Sequence, residues 1–251
     1  MTKTKYPIVC LRNVSKKYFL DRQGVKFGRQ GFGKHNIWAL KNIGLTINGG
    51  EQVGVIGANG SGKTTLLEIA AGITEPTAGS VNWQGRIISL IQLDAGFHPE
   101  LTGRENILLN SMFFGFDQKS VKQQLPSIIR FSGIGDFVDF PLYTFSDGMK
   151  LRLGFSMAIH SNPDLMVLDE TFMFGDRMFM RLAICELKRK VSQGMGILYA
   201  SHNLQLLAKR CDRLIWLDKG RVKGDGLPGA VIKKYFQFTS AKQGKNKNPL
   251  Y

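Results

Sequence analysis

Short unbroken apolar runs alternate along the chain with stretches whose apolar residues recur at helical spacing. Residues 53–56, VGVI, form such a run and read as a short buried strand. After a glycine-rich interval, residues 63–71 place Leu66, Leu67 and Ile69 where a helix would pack them. The same alternation returns later. Residues 164–170, DLMVLDE, are an apolar strand closed by two adjacent carboxylates, and residues 197–204, ILYASHNL, are a strand that ends in Ser201-His202. A helical run follows Ser146, and Thr102-Gly103-Arg104-Glu105 reads as a capping box opening a helix with Ile107, Leu108 and Leu109 on its apolar side. Strands separated by helices after residue 160 predict a parallel sheet. The expected fold is α/β: a parallel core sheet, an antiparallel β region over about 7–56 and 80–93, and a helical segment over about 103–162. No run approaches the roughly 18 apolar residues that span a bilayer. The start, MTKTKYPIVC, lacks the apolar stretch of a signal peptide, so the chain is expected to be cytoplasmic and not integral to a membrane.

Composition adds little until charge is divided along the chain. With 43% hydrophobic and 21% charged residues the sequence is that of an ordinary globular protein. Its net charge of +15 suggests nucleic acid at first sight. The excess is terminal, however: residues 1–36 carry +8, residues 203–251 carry +8, and the middle carries −1. Basic ends on a near-neutral core suit contact with an anionic surface or serve solubility alone. Cys10, Cys185 and Cys211 are odd in number, far apart and without nearby histidines, which predicts neither a disulfide framework nor a zinc site, only small buried hydrophobes.

Between the strand at 53–56 and the helix at 63 lies Gly57-Ala58-Asn59-Gly60-Ser61-Gly62-Lys63-Thr64-Thr65, which fits the phosphate-binding pattern G-x-x-x-x-G-K-[ST]. The glycines permit a tight turn whose backbone N–H groups converge on phosphate oxygens, and the helix start adds partial positive charge. Lys63 is then the residue that reaches the β- and γ-phosphates, and Thr64 offers a hydroxyl to Mg²⁺. The expected ligand is a nucleoside triphosphate. Asp169, at the end of its apolar strand, stands where an open α/β sheet meets ligands and would orient the Mg²⁺ shell. Its neighbour Glu170 is placed to polarise the attacking water.

Further elements carry a family resemblance. FSDGM, residues 145–149, followed by a helical run, resembles the signature loop of ATP-binding cassette (ABC) proteins, with Ser146 and Gly148 retained. Ser201-His202 resembles the switch histidine of that family. VSKKYF, residues 14–19, stands where the family carries an aromatic that stacks on adenine; Tyr18 fits, with Phe19 as runner-up. The ordered set covers roughly residues 7–238, and the chain is identified as resembling the ABC ATPases, with P-loop NTPase architecture over 1–238 and a basic flexible tail over 239–251. WALKNIGLTINGGEQVGVIGANGSGKTTLL, GFHPELTGRENI and CDRLIWLDKGRVKGDG are similar to the ATPase subunits of exporters for lipid-linked O-antigen and teichoic acid.

The resemblance implies an ATPase using ATP and Mg²⁺ that works as a head-to-tail dimer, each copy lending Ser146 and Gly148 to the other's ATP. It implies a peripheral position on the cytoplasmic face of the membrane, an integral permease received near Phe97, His98, Pro99 and Glu100, and only indirect contact with a lipid-linked glycan. The stretch 97–100 also reads as a plain structural turn. Gln92 is the chemical match for the glutamine that watches Mg²⁺ and water, although spacing from Thr102 points to Leu93. Asp147 replaces the signature's first glycine and would set a carboxylate near the partner's γ-phosphate, weakening capture of ATP. Asp176 is the expected counterpart of the acid that contacts the second copy. Residues 21–36, with four Lys/Arg and interleaved Phe27 and Phe32, are suited to lipid headgroups or a lipid-linked diphosphate, and equally to a solvated loop. A nucleic-acid or ribosome-associated ABC ATPase is the alternative. Only 54 positions separate Gln92 from Ser146, too few for the coiled-coil or zinc insertion of such proteins, so no nucleic acid is expected.

Overall fold

The computed structural model describes residues 6–20, 35–91, 96–112, 114–116, 118–169 and 176–245. Gln92, Glu170 and most of the basic segment 21–36 lie outside the described residues. The chain divides into two compact units, one of residues 1–8, 47–52 and 84–199, the other of residues 9–46, 53–83 and 200–251.

In the second unit, β1 (Pro7–Leu20) lies between β2 (His35–Asn48) and β4 (Ala78–Trp83) in an antiparallel sheet, with Val9 opposite Trp83. The register shifts between Arg12 and Ser15, where Asn13 takes a φ of 52°, a bulge that twists the strand. β3 (Gln52–Ile56) behaves differently. Val53, Val55 and Ile56 are fully buried, as expected of a strand covered on both faces, and β3 pairs in parallel with β8 (Arg213–Asp218). The antiparallel region expected over 7–56 and 80–93 is therefore too wide: β3 leaves it, and so does the strand at Ile87–Ser89, which pairs in parallel. An apolar run reports burial, not the direction of its neighbour. β8 returns through Lys219 and Gly220, both at positive φ, into antiparallel β9 (Arg221–Gly226), a two-residue turn whose twist matches its strands.

Three helices complete this unit's described residues: α1 (Lys63–Ala70), α6 (Leu204–Arg210) and α7 (Pro228–Lys245). α1 buries Leu66, Leu67, Ile69 and Ala70, the packing read from its spacing. α7 covers β8 and β9, where the Trp216 ring meets Tyr235 at 5.7 Å and Phe238 at 5.0 Å. The helix runs on to Lys245, with Thr239 Oγ1 bonding back to the carbonyls of Tyr235 and Phe236; the rest of the tail expected over 239–251 lies outside the described residues.

The first unit holds β5 (Ile87–Ser89), β6 (Leu165–Leu168) and β7 (Gly196–Ala200), paired in parallel with Ile87 beside Leu165 and Leu165 beside Gly196. Every residue of β6 and β7 is buried. The helical part comprises α2 (Gly103–Asn110), α3 (Gln118–Ser132) and α4 (Asp147–His160), with 3₁₀ turns at Gly135–Asp139 and Leu142–Thr144 between the last two. Their core is Ile107, Val121, Ile128, Phe145, Leu153 and Met157. α5 (Arg177–Ser192) adds Phe179, whose ring meets Phe131 and Phe155 edge-on. The capping box opens α2 as expected: Thr102 Oγ1 accepts from Glu105 N at 3.1 Å and the Glu105 carboxylate accepts from Thr102 N at 2.8 Å. Of the predicted apolar side only Ile107 is fully buried; Leu108 faces outward, because the buried stripe of α2 runs through Gly103, Asn106, Ile107 and Asn110. Nor are all cysteines buried. Cys211 is, and burial pushes its thiol up to about 12, whereas Cys185 is exposed on α5.

Asn106 is fully buried and holds the approach to α2. Its Nδ2 donates to the carbonyls of His98, Leu101 and Thr102 at 3.0, 3.1 and 3.0 Å, and its Oδ1 accepts from His98 N at 2.8 Å. Asn106→Ala would strand these backbone groups away from water. We expect a loss of about 2 to 3 kcal/mol, seen by calorimetry as a melting point lower by on the order of 5 to 10 °C.

Candidate functional site

The phosphate-loop turn is built from local necessity. Leaving β3, the chain passes Gly57 at φ 154° and Gly62 at φ 105°. A Cβ on Gly57 would stand 2.4 Å from Leu217 O, and one on Gly62 2.5 Å from Ala39 O, so no side chain fits at either place. The β8–β9 turn braces the loop from behind: Gly220 N donates to Ser61 O at 3.0 Å and Lys41 N donates to Gly220 O at 2.7 Å. Sequence reading missed this brace, although Asp218-Lys219-Gly220 is a recognisable turn signal.

The loop delivers an uncapped helix start. Gly62 is the N-cap of α1 in a left-handed conformation, without a side-chain acceptor, and no acidic residue occupies the first turn. The first N–H groups of the helix thus have no intrahelical acceptor, and its dipole favours an anion. Lys63 folds over its own loop, Nζ donating to Gly57 O at 2.9 Å and Ala58 O at 3.1 Å. Ser61 Oγ is buried without a hydrogen-bond partner. Asn59, Gly60 and Thr64 are exposed and Thr65 is half-buried. A cationic, glycine-lined concavity with an orphaned hydroxyl fits a polyphosphate and its metal. On the same unit Tyr18 is 37% exposed with Lys16 Nζ 5.2 Å from its ring centre, and Phe19, one residue on and therefore on the other face of β1, is 67% exposed beneath Lys17. Both aromatics stay available. His202 is exposed directly after β7; Ser201 Oγ accepts from Asn203 N at 3.1 Å, and Asn203 caps α6.

The first unit presents the remaining residues. Asp169 follows β6 and is half-buried. Ser146 is the N-cap of α4, its Oγ accepting from Met149 N at 3.2 Å. Gly148 is exposed, and a Cβ there would meet nothing nearer than Ser146 Oγ at 3.9 Å. Asp147 projects fully into solvent with the half-buried Lys150 Nζ 4.0 Å away, a pair that sequence reading overlooked. Asp176 caps α5, accepting from Met178 N at 3.1 Å. Phe97 packs against the helical core, while His98, Pro99 and Glu100 are exposed on backbone fixed by Asn106 and by Tyr143 N donating to Pro99 O. Among the described residues no cluster of metal-binding side chains stands out by itself, and no helix is long and apolar enough to cross a membrane.

Residues 40–173 match the profile of a family described as ABC transporter. The ABC transporter protein AbcA of Aeromonas salmonicida is 42% identical over 80% of this chain and 65% of its own. The O-antigen export system ATP-binding protein RfbB of Klebsiella pneumoniae is 41% identical over 79% of this chain and 81% of its own. The teichoic acids export ATP-binding protein TagH of Lactococcus lactis is 42% identical over 81% of this chain but only 43% of its own, so the chain spans less than half of that relative. Among solved structures, the ATP-binding cassette MJ0796 in a dimeric post-hydrolysis state bound to ADP and Pi superposes with a TM-score of 0.71 at 23% identity, over 88% of this chain and 98% of that one.

Proposed function

The chain belongs to the ABC transporter family, and from that premise we propose that it is the ATP-hydrolysing subunit of an exporter for a lipid-linked polysaccharide of the O-antigen or teichoic acid type. The observation that carries the nucleotide reading is the uncapped start of α1 with Lys63 poised over Gly57 and Ala58. The exporter reading is supported by relatives of that description at 41 to 42% identity. The subunit works at the cytoplasmic face of the membrane beside a separate permease.

ATP replaces the loop carbonyls as the partner of Lys63, which moves from neutral acceptors to charged phosphate oxygens and gains stronger, charge-assisted bonds. The N–H groups at the start of α1 take the β-phosphate. Thr64, Asp169 and Gln92 are the residues that would hold Mg²⁺, which when bound neutralises charge on the β- and γ-oxygens. Tyr18 stacks on the base. Glu170 orients water towards the γ-phosphate and His202 holds that phosphate through a ring N–H. The second copy completes the site: the partner's Ser146 and Gly148 meet the γ-phosphate, in a two-fold arrangement with two ATP molecules in the interface. Asp147 opposes this closure by like charge, and Lys150 beside it offsets part of the repulsion. The exposed residues His98, Pro99 and Glu100 receive the permease.

A gene deletion tests the reading. Cells without this chain are expected to lose the surface glycan and accumulate its lipid-linked form inside, and a plasmid copy should restore export where a Lys63→Ala copy does not. Surface glycan unchanged by the deletion would overturn the exporter assignment while leaving ATP binding intact.

A further inference from the structure

A cavity of about 490 Å³ opens in the first unit where the start of β5, the face of α3 and the end of α4 meet, and none of the residues assigned above to ATP lines it. Arg86 dominates one wall. Its Nη1 donates to Ser161 O, and its Nε lies against Gly115, where φ is +73° and a Cβ would stand 2.9 Å from that nitrogen. The guanidinium is thereby anchored through Nη1, and among the described residues most of its N–H groups have no further partner. Asp164 faces the same space; its Oδ2 accepts from Arg86 N at 2.7 Å, a backbone bond that leaves the side chains of Arg86 and Asp164 unpaired with each other.

The rest of the lining is polar and has defined hydrogen-bonding character. His160 commits Nδ1 to Ser156 O at 2.7 Å, and burial holds its ring below the usual histidine range, so Nε2 carries a lone pair near neutral pH. Asn162, at φ 52°, accepts through Oδ1 from Lys190 Nζ and keeps its amide N–H₂ for another acceptor. Gln124 contributes a second amide from α3, and Phe116 supplies the aromatic carbon. A planar cationic fork selects a bidentate anion. Alternating carboxylate, imidazole and amide groups select a ligand that both donates and accepts at several points, as adjacent hydroxyls do. The volume is that of a small-molecule site, typically about 300 to 1,000 Å³. Among the described lining residues Arg86 is the single cation, which is charge for one phosphate and not for a chain of them.

We propose that this cavity binds a small phosphorylated sugar, with the phosphate on Arg86 and ring hydroxyls on Asp164, Asn162 and Gln124. The inference rests on the cavity alone and stands or falls separately from the exporter reading.

Calorimetric titration of the nucleotide-free full chain tests it, with glucose 1-phosphate, glucose and inorganic phosphate as probes. Glucose 1-phosphate should bind saturably and at least about tenfold more tightly than either fragment, since both halves of the cavity contribute. ATP should not displace it. Arg86→Lys keeps the charge but loses the fork and should weaken binding about tenfold or more. Gln124→Ala, at a half-buried position on α3, should weaken it several-fold and leave ATP hydrolysis unchanged. If Arg86→Lys fails to fold, Gln124→Ala decides alone. Equal affinity for phosphate and glucose 1-phosphate, no saturable binding, or binding that ATP displaces and Lys63→Ala abolishes would each overturn the proposal.

Discussion

Lys63→Ala is expected to lower ATP hydrolysis by on the order of 100- to 1,000-fold, the range seen when one preorganised charge-stabilising donor is removed. The effect should be large because the loop offers no second cation: Nζ is the charged group folded over Gly57 and Ala58, and the remaining donors of the turn, its backbone N–H groups and the Ser61 and Thr64 hydroxyls, are neutral. The fold should survive. Alanine has the better helix propensity at the first position of α1, and the carbonyls released by the change lie on a partly exposed loop where water can reach them. A melting point within a few degrees of wild type, together with lost nucleotide affinity, would locate the defect in the site. Lys63→Arg should not rescue, because a planar fork cannot occupy the compact position of an ammonium between two carbonyls. Hydrolysis retained within about threefold by Lys63→Ala would remove the phosphate role from this residue.

How much of this was legible depends on range. The loop from Gly57 to Thr64 could be read because each requirement is local: glycines where φ is positive, a lysine at the first helical position, an apolar strand before it. The capping box of α2 was equally plain, since both of its bonds close within four residues. What the loop leans on was not legible. Gly220 reaches Ser61 from far along the chain, and only tertiary folding brings the turn behind the loop. Asn106 has no mark in the sequence to set it apart from any polar helical residue, yet it fixes the backbone from His98 to Thr102. The apolar run at 53–56 announces a strand without announcing a parallel partner, and the same holds for the strand at Ile87–Ser89, so the antiparallel region expected over 7–56 and 80–93 is too wide. The cavity beside Arg86 left no mark at all: its wall comes from four separated segments, and arginine, histidine and aspartate at such spacings match no motif. Gln92 and Glu170 rest on sequence position, outside the described residues.

Glu170→Gln is expected to reduce hydrolysis by about 100- to 10,000-fold, the contribution of a positioned general base, while leaving ATP binding in place. The two side chains are nearly isosteric, and the amide retains an acceptor for water but cannot take its proton at neutral pH. If ATP joins two copies by presenting its γ-phosphate to the partner's Ser146, blocking hydrolysis should preserve the joint. Size-exclusion chromatography should then show a dimer with ATP and a monomer with ADP, whereas wild type exchanges between the two. Asp147 sets the expected salt response. In the closed pair its exposed carboxylate would stand near a highly charged phosphate, and that repulsion is screened over about 8 to 10 Å at physiological ionic strength. Moderate salt should therefore tighten the trapped dimer, and Asp147→Gly should tighten it at low salt and flatten the dependence. A Glu170→Gln protein that stays monomeric with ATP at every ionic strength would mean that the nucleotide does not join two copies through Ser146, whatever Lys63 contributes to binding it.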